Sequence, residues 1–194
     1  NQCMAQQVKN SKSASKFKGT QLDLSSIAET HFLGYERLAA EGVVLGLWDN
    51  EIHIESTKAP KEYLIVFDQS PFYAESGGQV GDQGTFSGAS CQGQVTDCIK
   101  QGNIFIHKIM LDEGVISLGD QVKLEVNPRY RSSSAAHHSA THLMHAALKH
   151  VLGDHVQQKG SLVDSTKLRF DFSHPKAVSK DELKEIESIV NMHA

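Results

Sequence analysis

Beyond Thr30 the apolar positions fall into short runs rich in β-branched and aromatic residues: Thr30 to Tyr35, Val43 to Trp48, Glu51 to Glu55 and Tyr63 to Phe67. Turn formers such as Asp49-Asn50 separate them. The texture continues through Gly93 to Ile99, Asn103 to Met110 and Gln121 to Val126. In the last run Val122, Leu124 and Val126 alternate with Lys123 and Glu125, so one face turns inward. Six or more short strands at this spacing predict a small antiparallel barrel over residues 30–129, because closure removes exposed edges.

After Pro128 the period lengthens. Ala140, Leu143, Met144, Ala147, Leu148 and Val151 recur at three and four residues, between Ser132–Ser134 and Gly153, which predicts an amphipathic helix with a glycine stop. Two strands follow, Ser161 to Val163 and Leu168 to Phe172. A second helix is expected beyond Pro175, where Ser179 and Glu182 form a capping box and Leu183, Ile186, Ile189 and Val190 supply the apolar stripe. The fold class is therefore α+β, a barrel followed by an unfinished α+β part over residues 130–194. Residues 1–29 read as a lead-in, since Gln2 to Lys18 is polar and basic and offers little to bury, as in a helix tail or a disordered segment. Asn1 at the start, and Met192-His193-Ala194 at the end with no turn residue closing the helix, are expected of an excised segment.

Composition narrows the function classes. With 39% hydrophobic residues in 194, the chain can bury one ordinary domain or two small ones. Nineteen basic against 23 acidic residues give a net charge of −4, so any nucleic-acid contact must be local. No apolar run approaches the roughly 20 residues a membrane span needs, and a cytoplasmic location is expected. Cys3, Cys91 and Cys98 lack CxxC spacing and read as reduced thiols. Eleven histidines are many for this length, and several crowd between His137 and His155.

Within that crowd lies His138-Ser139-Ala140-Thr141-His142, two histidines four apart on the predicted helix. That spacing stacks both imidazoles on one face, where a single zinc ion can be shared. For an arbitrary pair of this kind, a polar helix face near a core is the commoner outcome. Glu is missing at the second position, which sets aside the HExxH metalloproteases. His145 and Lys149 continue the face, either as supporting groups or simply as solvated residues. A second feature is Phe72 to Asp82, with Gly77-Gly78-Gln79 at its centre. Paired glycines allow positive φ and close approach to a ligand, and Gln79 offers donor and acceptor; a glycine-rich barrel turn is an equal reading. The run Gln157 to Val163 lacks the glycine spacing of a phosphate loop, and the chain has no Rossmann fingerprint.

Taken together the motifs resemble alanyl-tRNA synthetase over nearly the whole chain. The lead-in Ser13 to Phe17 is similar to the family's junction after its tRNA-recognition helices. Phe72 to Gly84 resembles its barrel signature, His138 to His145 its proofreading helix, and His155 to Val163 with Leu168 to His174 the strands that follow. The resemblance implies a partial α/β editing domain of the threonyl/alanyl-tRNA synthetase second-additional-domain type. It also implies hydrolysis of the ester joining serine or glycine to the 3′ adenosine of tRNA(Ala). Such a second sieve is needed because an alanine pocket cannot exclude glycine and rejects an added hydroxyl only about a hundredfold.

By the same resemblance His138 and His142 would be zinc ligands, completed by a Cys-x-x-x-His motif that does not occur before Ala194, so zinc is expected to be absent from this fragment. Thr141 and Gln158 match positions associated with substrate selection, with helix packing the other account of Thr141. Gly77, Gly78, Gln79, Lys159 and Arg169 are candidates for contact with tRNA or substrate. His137 stands where the family usually has Asn. ATP and magnesium would belong to an upstream catalytic domain absent here, which would carry aminoacylation, and neither DNA nor a membrane is expected as a partner. Two alternatives are a free-standing trans-editing aminoacyl-tRNA hydrolase and a non-enzymatic tRNA-binding barrel.

Overall fold

The computed structural model describes residues 22–57 and 60–193; the lead-in motif and Cys3 lie outside them. Nine strands precede the first described helix: β1 (His31–Phe32), β2 (Ala39–Asp49), β3 (Ile52–His53), β4 (Glu62–Phe67), β5 (Gln69–Ser70), β6 (Gly84–Gly88), β7 (Cys91–Gln101), β8 (Ile104–Gly114) and β9 (Gln121–Val126). Six of them form the expected closed antiparallel barrel, in the order β2-β4-β8-β7-β6-β9 and back to β2.

Closure depends on β2, whose first half, Ala39 to Val43, pairs with β9 while Val44 to Trp48 pairs with β4. Register shifts at Val44/Gly46, and at Gln92/Gly93 and Val95/Asp97 between β7 and β8, supply the bends that a small closed sheet needs. Inside sit Val44, Leu47, Ile65, Phe67, Phe72, Phe86, Ile109, Leu111 and Leu124, all essentially without solvent exposure. The alternation predicted for β9 is realised: Val122, Leu124 and Val126 are buried and their neighbours exposed. A second apolar layer, Leu22, Leu24, Trp48, Leu64, Val66 and Ile106, covers part of the outer face.

The sequence pattern missed β6, the strand between β7 and β9. Gly84–Gly88 is flanked by glycines and holds only Thr85 and Phe86 as strand formers, too little for periodicity to register. Two expected strands shrink to two residues each. Thr30 to Tyr35 becomes β1, in parallel with β5, and Glu51 to Glu55 becomes β3.

The run Pro128 to Ser134, with no apolar period of its own, also hid the start of the first described helix, α1 (Pro128–Leu152). Asn127 caps it, its side chain accepting from Arg129 N and Tyr130 N at 3.1 Å each, and Pro128 fits the first turn because its missing N–H is not needed there. Ser132 to Ser134 are therefore helical rather than a boundary. At the other end the Gly153 N–H donates to Lys149 O at 2.9 Å. The strands β10 (Gln157–Val163) and β11 (Leu168–Ser173) form an antiparallel hairpin, followed by α2 (Lys180–His193). The capping box is present, Ser179 N donating to Glu182 Oε2 at 2.8 Å and Glu182 N to Ser179 Oγ at 3.3 Å. Ala147, Leu148, Val156 and Ile186 form a third core, packed by Phe170 and Phe172 from β11.

Candidate functional site

The helix α1 carries the site because one stripe of it is chemical rather than apolar. At 100° per residue, Arg131, His138, His142 and His145 lie within a narrow strip of the helix surface. The rings of His138 and His142 are 5.0 Å apart between centroids and inclined at 48°. His142 is exposed and His138 half-buried, with its Nδ1 sealed from solvent and without a hydrogen-bond partner among the described residues. His145 lies against the Phe170 ring at 5.2 Å, and its Nε2 is likewise buried without a partner.

A zinc ion takes three or four protein donors, commonly neutral imidazoles. Here two imidazoles share one turn, and the described residues hold no group of three His, Cys, Asp or Glu able to bind a metal. An unpartnered buried imidazole nitrogen costs about 1–3 kcal/mol, and a metal or a further polar group relieves that cost. The pair therefore fits as part of a zinc ligand set.

Thr141 is buried, and its Oγ1 donates to His137 O at 2.8 Å, within its own helix. Its proton is thereby spent, while its lone pairs stay able to accept. Gln158 and Lys159 are exposed on β10, with Lys159 Nζ donating to Gln157 Oε1 at 3.1 Å. Register slips between Gln158 and Gly160 against β11, so Lys159 sits at an irregularity of the ladder. Arg169 is exposed on β11 and paired with Asp171 at 3.2 Å, which neutralises it locally.

The glycine motif is a tight hairpin. Ser76 and Gln79 exchange backbone bonds of 3.1 and 3.0 Å around Gly77 (φ 61°) and Gly78 (φ 86°), the left-handed pair that such a two-residue turn demands. This hairpin docks edge-on to β10, Val80 N donating to Val163 O at 3.0 Å and Val163 N to Gly78 O at 2.8 Å. Gln79 is buried, so its side chain does not stand out toward solvent as a free ligand-contacting group.

Four residues outside the candidates singled out from sequence organise this region. Asp82, almost wholly buried, accepts from Arg131 of α1, whose Nε lies 3.1 and 2.8 Å from its two oxygens and whose Nη2 also pairs with it. The same guanidinium donates to Gly34 O at 2.7 Å and Pro71 O at 2.9 Å. Asp82 also accepts from Tyr73 N at 2.8 Å. Tyr130 beside Arg131 has its phenol pushed up to about 12 by burial, with Asp164, Asp97 and Asp82 adding to the shift, so it remains protonated. Asp164, at the turn between β10 and β11, accepts through Oδ1 from Thr166 N, Thr166 Oγ1 and Lys167 N at 2.7–2.9 Å. Helical spacing could have put Arg131 on the histidine stripe; its partner 49 residues earlier leaves no local trace.

Residues 1–130 match the family described as "tRNA synthetases class II (A)". Among curated relatives, the alanine–tRNA ligase of Halorhodospira halophila is 44% identical over 188 residues, which is 97% of this chain and 22% of that protein. The alanine–tRNA ligases of Burkholderia thailandensis and Nitrosococcus oceani are each 45% identical, over 97% and 98% of this chain and again 22% of their own length. The chain thus spans about a fifth of these relatives. By the match over residues 1–130, joined to the barrel and histidine helix described above, the chain belongs to the class II (A) tRNA synthetase family.

Proposed function

We propose that the chain is part of an alanine–tRNA ligase and carries part of a pocket that hydrolyses tRNA(Ala) mischarged with serine or glycine. The observation that supports this best is the closely spaced imidazole pair of His138 and His142 on one stripe of α1, with the His138 Nδ1 buried and unpartnered among the described residues. In the reaction a water adds to the carbonyl carbon of the aminoacyl ester, the ester C–O bond breaks, and the 3′ hydroxyl leaves with a proton, freeing the amino acid. His138 and His142 would hold a zinc ion, which would supply a Lewis acid for binding and orienting the aminoacyl group or the water.

Around that centre the chain's own residues select and position. Thr141 can accept a hydrogen bond from the serine hydroxyl, its own proton being engaged with His137 O. Gln158 can both donate and accept, and its exposed place on β10 gives it access to an incoming ester. Gly77 and Gly78 can offer main chain rather than side chain to a ligand, and Lys159 and Arg169, exposed on β10 and β11, are the candidates for a tRNA phosphate, Arg169 by giving up its pairing with Asp171. Replacing His138 by Ala in the full-length protein is expected to lower seryl-tRNA(Ala) deacylation by at least a hundredfold while leaving alanine aminoacylation intact. Retained deacylation in that variant would discard the assignment.

A further inference from the structure

Three pairwise ties join α1, the glycine hairpin and β10, the elements that carry the candidate residues. The first joins α1 to the glycine hairpin segment through Arg131 and Asp82. The second joins that segment to β10 through the backbone pairs of Gly78 and Val80 with Val163. The third joins β10 back to α1, because His137 Nδ1 lies 2.7 Å from Asp164 O, one residue past the Val163 of the second tie. A carbonyl oxygen only accepts, so His137 must carry its proton on Nδ1 and act as donor. Helix, hairpin and strand are thus closed into a triangle, with His138 adjoining one corner and Gln158 on the strand that forms one side.

We infer that this triangle sets the distance between the Gln158 strand and the His138–His142 pair, with His137 and Arg131 as positioning residues of the hydrolytic pocket proposed above. His137 then acts through one N–H, neither as a metal ligand nor as a proton carrier. An asparagine side-chain amide offers the same kind of donor, so Asn at this position would keep the tie, whereas an isosteric apolar residue would not. Arg131 does what lysine cannot, since its planar fork meets Asp82 and two carbonyls at once.

The inference rests on the editing reading, and the test separates the two. In the full-length protein, seryl-tRNA(Ala) deacylation is measured for wild type, His137→Asn, His137→Leu and Arg131→Lys, with melting temperature and alanine aminoacylation recorded alongside. Hydrogen exchange of the Val80 and Val163 amides is followed in the same proteins. Small displacements of aligned groups cost one to two orders of magnitude in rate, so His137→Leu should lower kcat roughly tenfold with KM within about threefold. Aminoacylation should be unchanged and Val163 exchange faster. Arg131→Lys should behave similarly, and His137→Asn should stay within about twofold of wild type in every readout.

The inference is overturned if His137→Leu keeps wild-type kcat and Val163 protection, or loses only melting temperature. It is also overturned if His137→Asn fails as badly as His137→Leu, which would give the imidazole itself a chemical role. A wild-type protein that does not deacylate seryl-tRNA(Ala) removes the proposed function and the positioning role together, a result distinct from an active wild type with indifferent variants.

Discussion

The imidazole of His107 is sealed inside the barrel, between the rings of Phe67 and Phe72 at 4.9 and 5.6 Å. Its Nδ1–H donates to Ile65 O at 3.3 Å, and its Nε2 accepts from Ser70 Oγ at 2.7 Å, a full set of partners for the neutral ring. Burial holds its pKa down to about 4, against 6.5 for an exposed histidine. Below pH 6.5 the unfolded chain takes up a proton that the folded chain refuses, so this group penalises folding increasingly as pH falls from 6.5 to about 4 and not at all above that window. The penalty should reach of order 3 kcal/mol at the acid end. Urea unfolding at pH 4–8 should show stability rising with pH through this window, and His107→Leu should flatten the rise while lowering stability at neutral pH, where the Ser70 hydroxyl loses its partner. An unchanged slope in the variant would move the acid sensitivity to another residue.

Among the elements, the glycine hairpin has the sharpest steric definition. A Cβ added to Gly78 would come 2.2 Å from Ser161 Oγ and 2.8 Å from Ser161 O, at a φ that already disfavours L side chains. At Gly77 the φ is similarly positive but nothing lies within 4 Å. Gly77→Ala should therefore cost about 1 kcal/mol from backbone strain, and Gly78→Ala at least 2 kcal/mol more, because the hairpin must lift from β10. Chemical denaturation of both variants orders them, and equal losses would show that docking contributes little. The sequence carried the glycine pair and its positive φ but not the partner strand, which lies some eighty residues later. The same limit explains other gaps. Local periodicity exposed β9, α1 and the capping box of α2, whereas β6 and the tie between Asp82 and Arg131 exist only through partners remote in the chain. His138 and His142 were legible as a pair because helical spacing is local. The part played by His137 was not, because it depends on the carbonyl of Asp164.

Taken whole, the molecule is a closed barrel joined to an α+β portion, and no helix among the described residues is long and apolar enough to cross a membrane. At this scale the metal question becomes one of stoichiometry. With two imidazoles and no third ligand candidate beside them among the described residues, the 194-residue chain should hold far less than one equivalent of zinc by mass spectrometry, and the full-length protein close to one. A full equivalent on the short chain, lost on His138→Ala, would show that the pair suffices with water or another group. The Arg131–Asp82 clamp also bears on how the chain can be recombined. Cutting between Val126 and Pro128 would follow the visible change from strand to helix, yet it would strand a sealed carboxylate in the barrel without its cation, a loss of about 3 kcal/mol or more. A chimera that joins this barrel to a helix without arginine at position 131 should therefore lose stability, whereas a crossover placed after Arg131 lets the first turn of the helix be inherited with the sheet on which it is anchored.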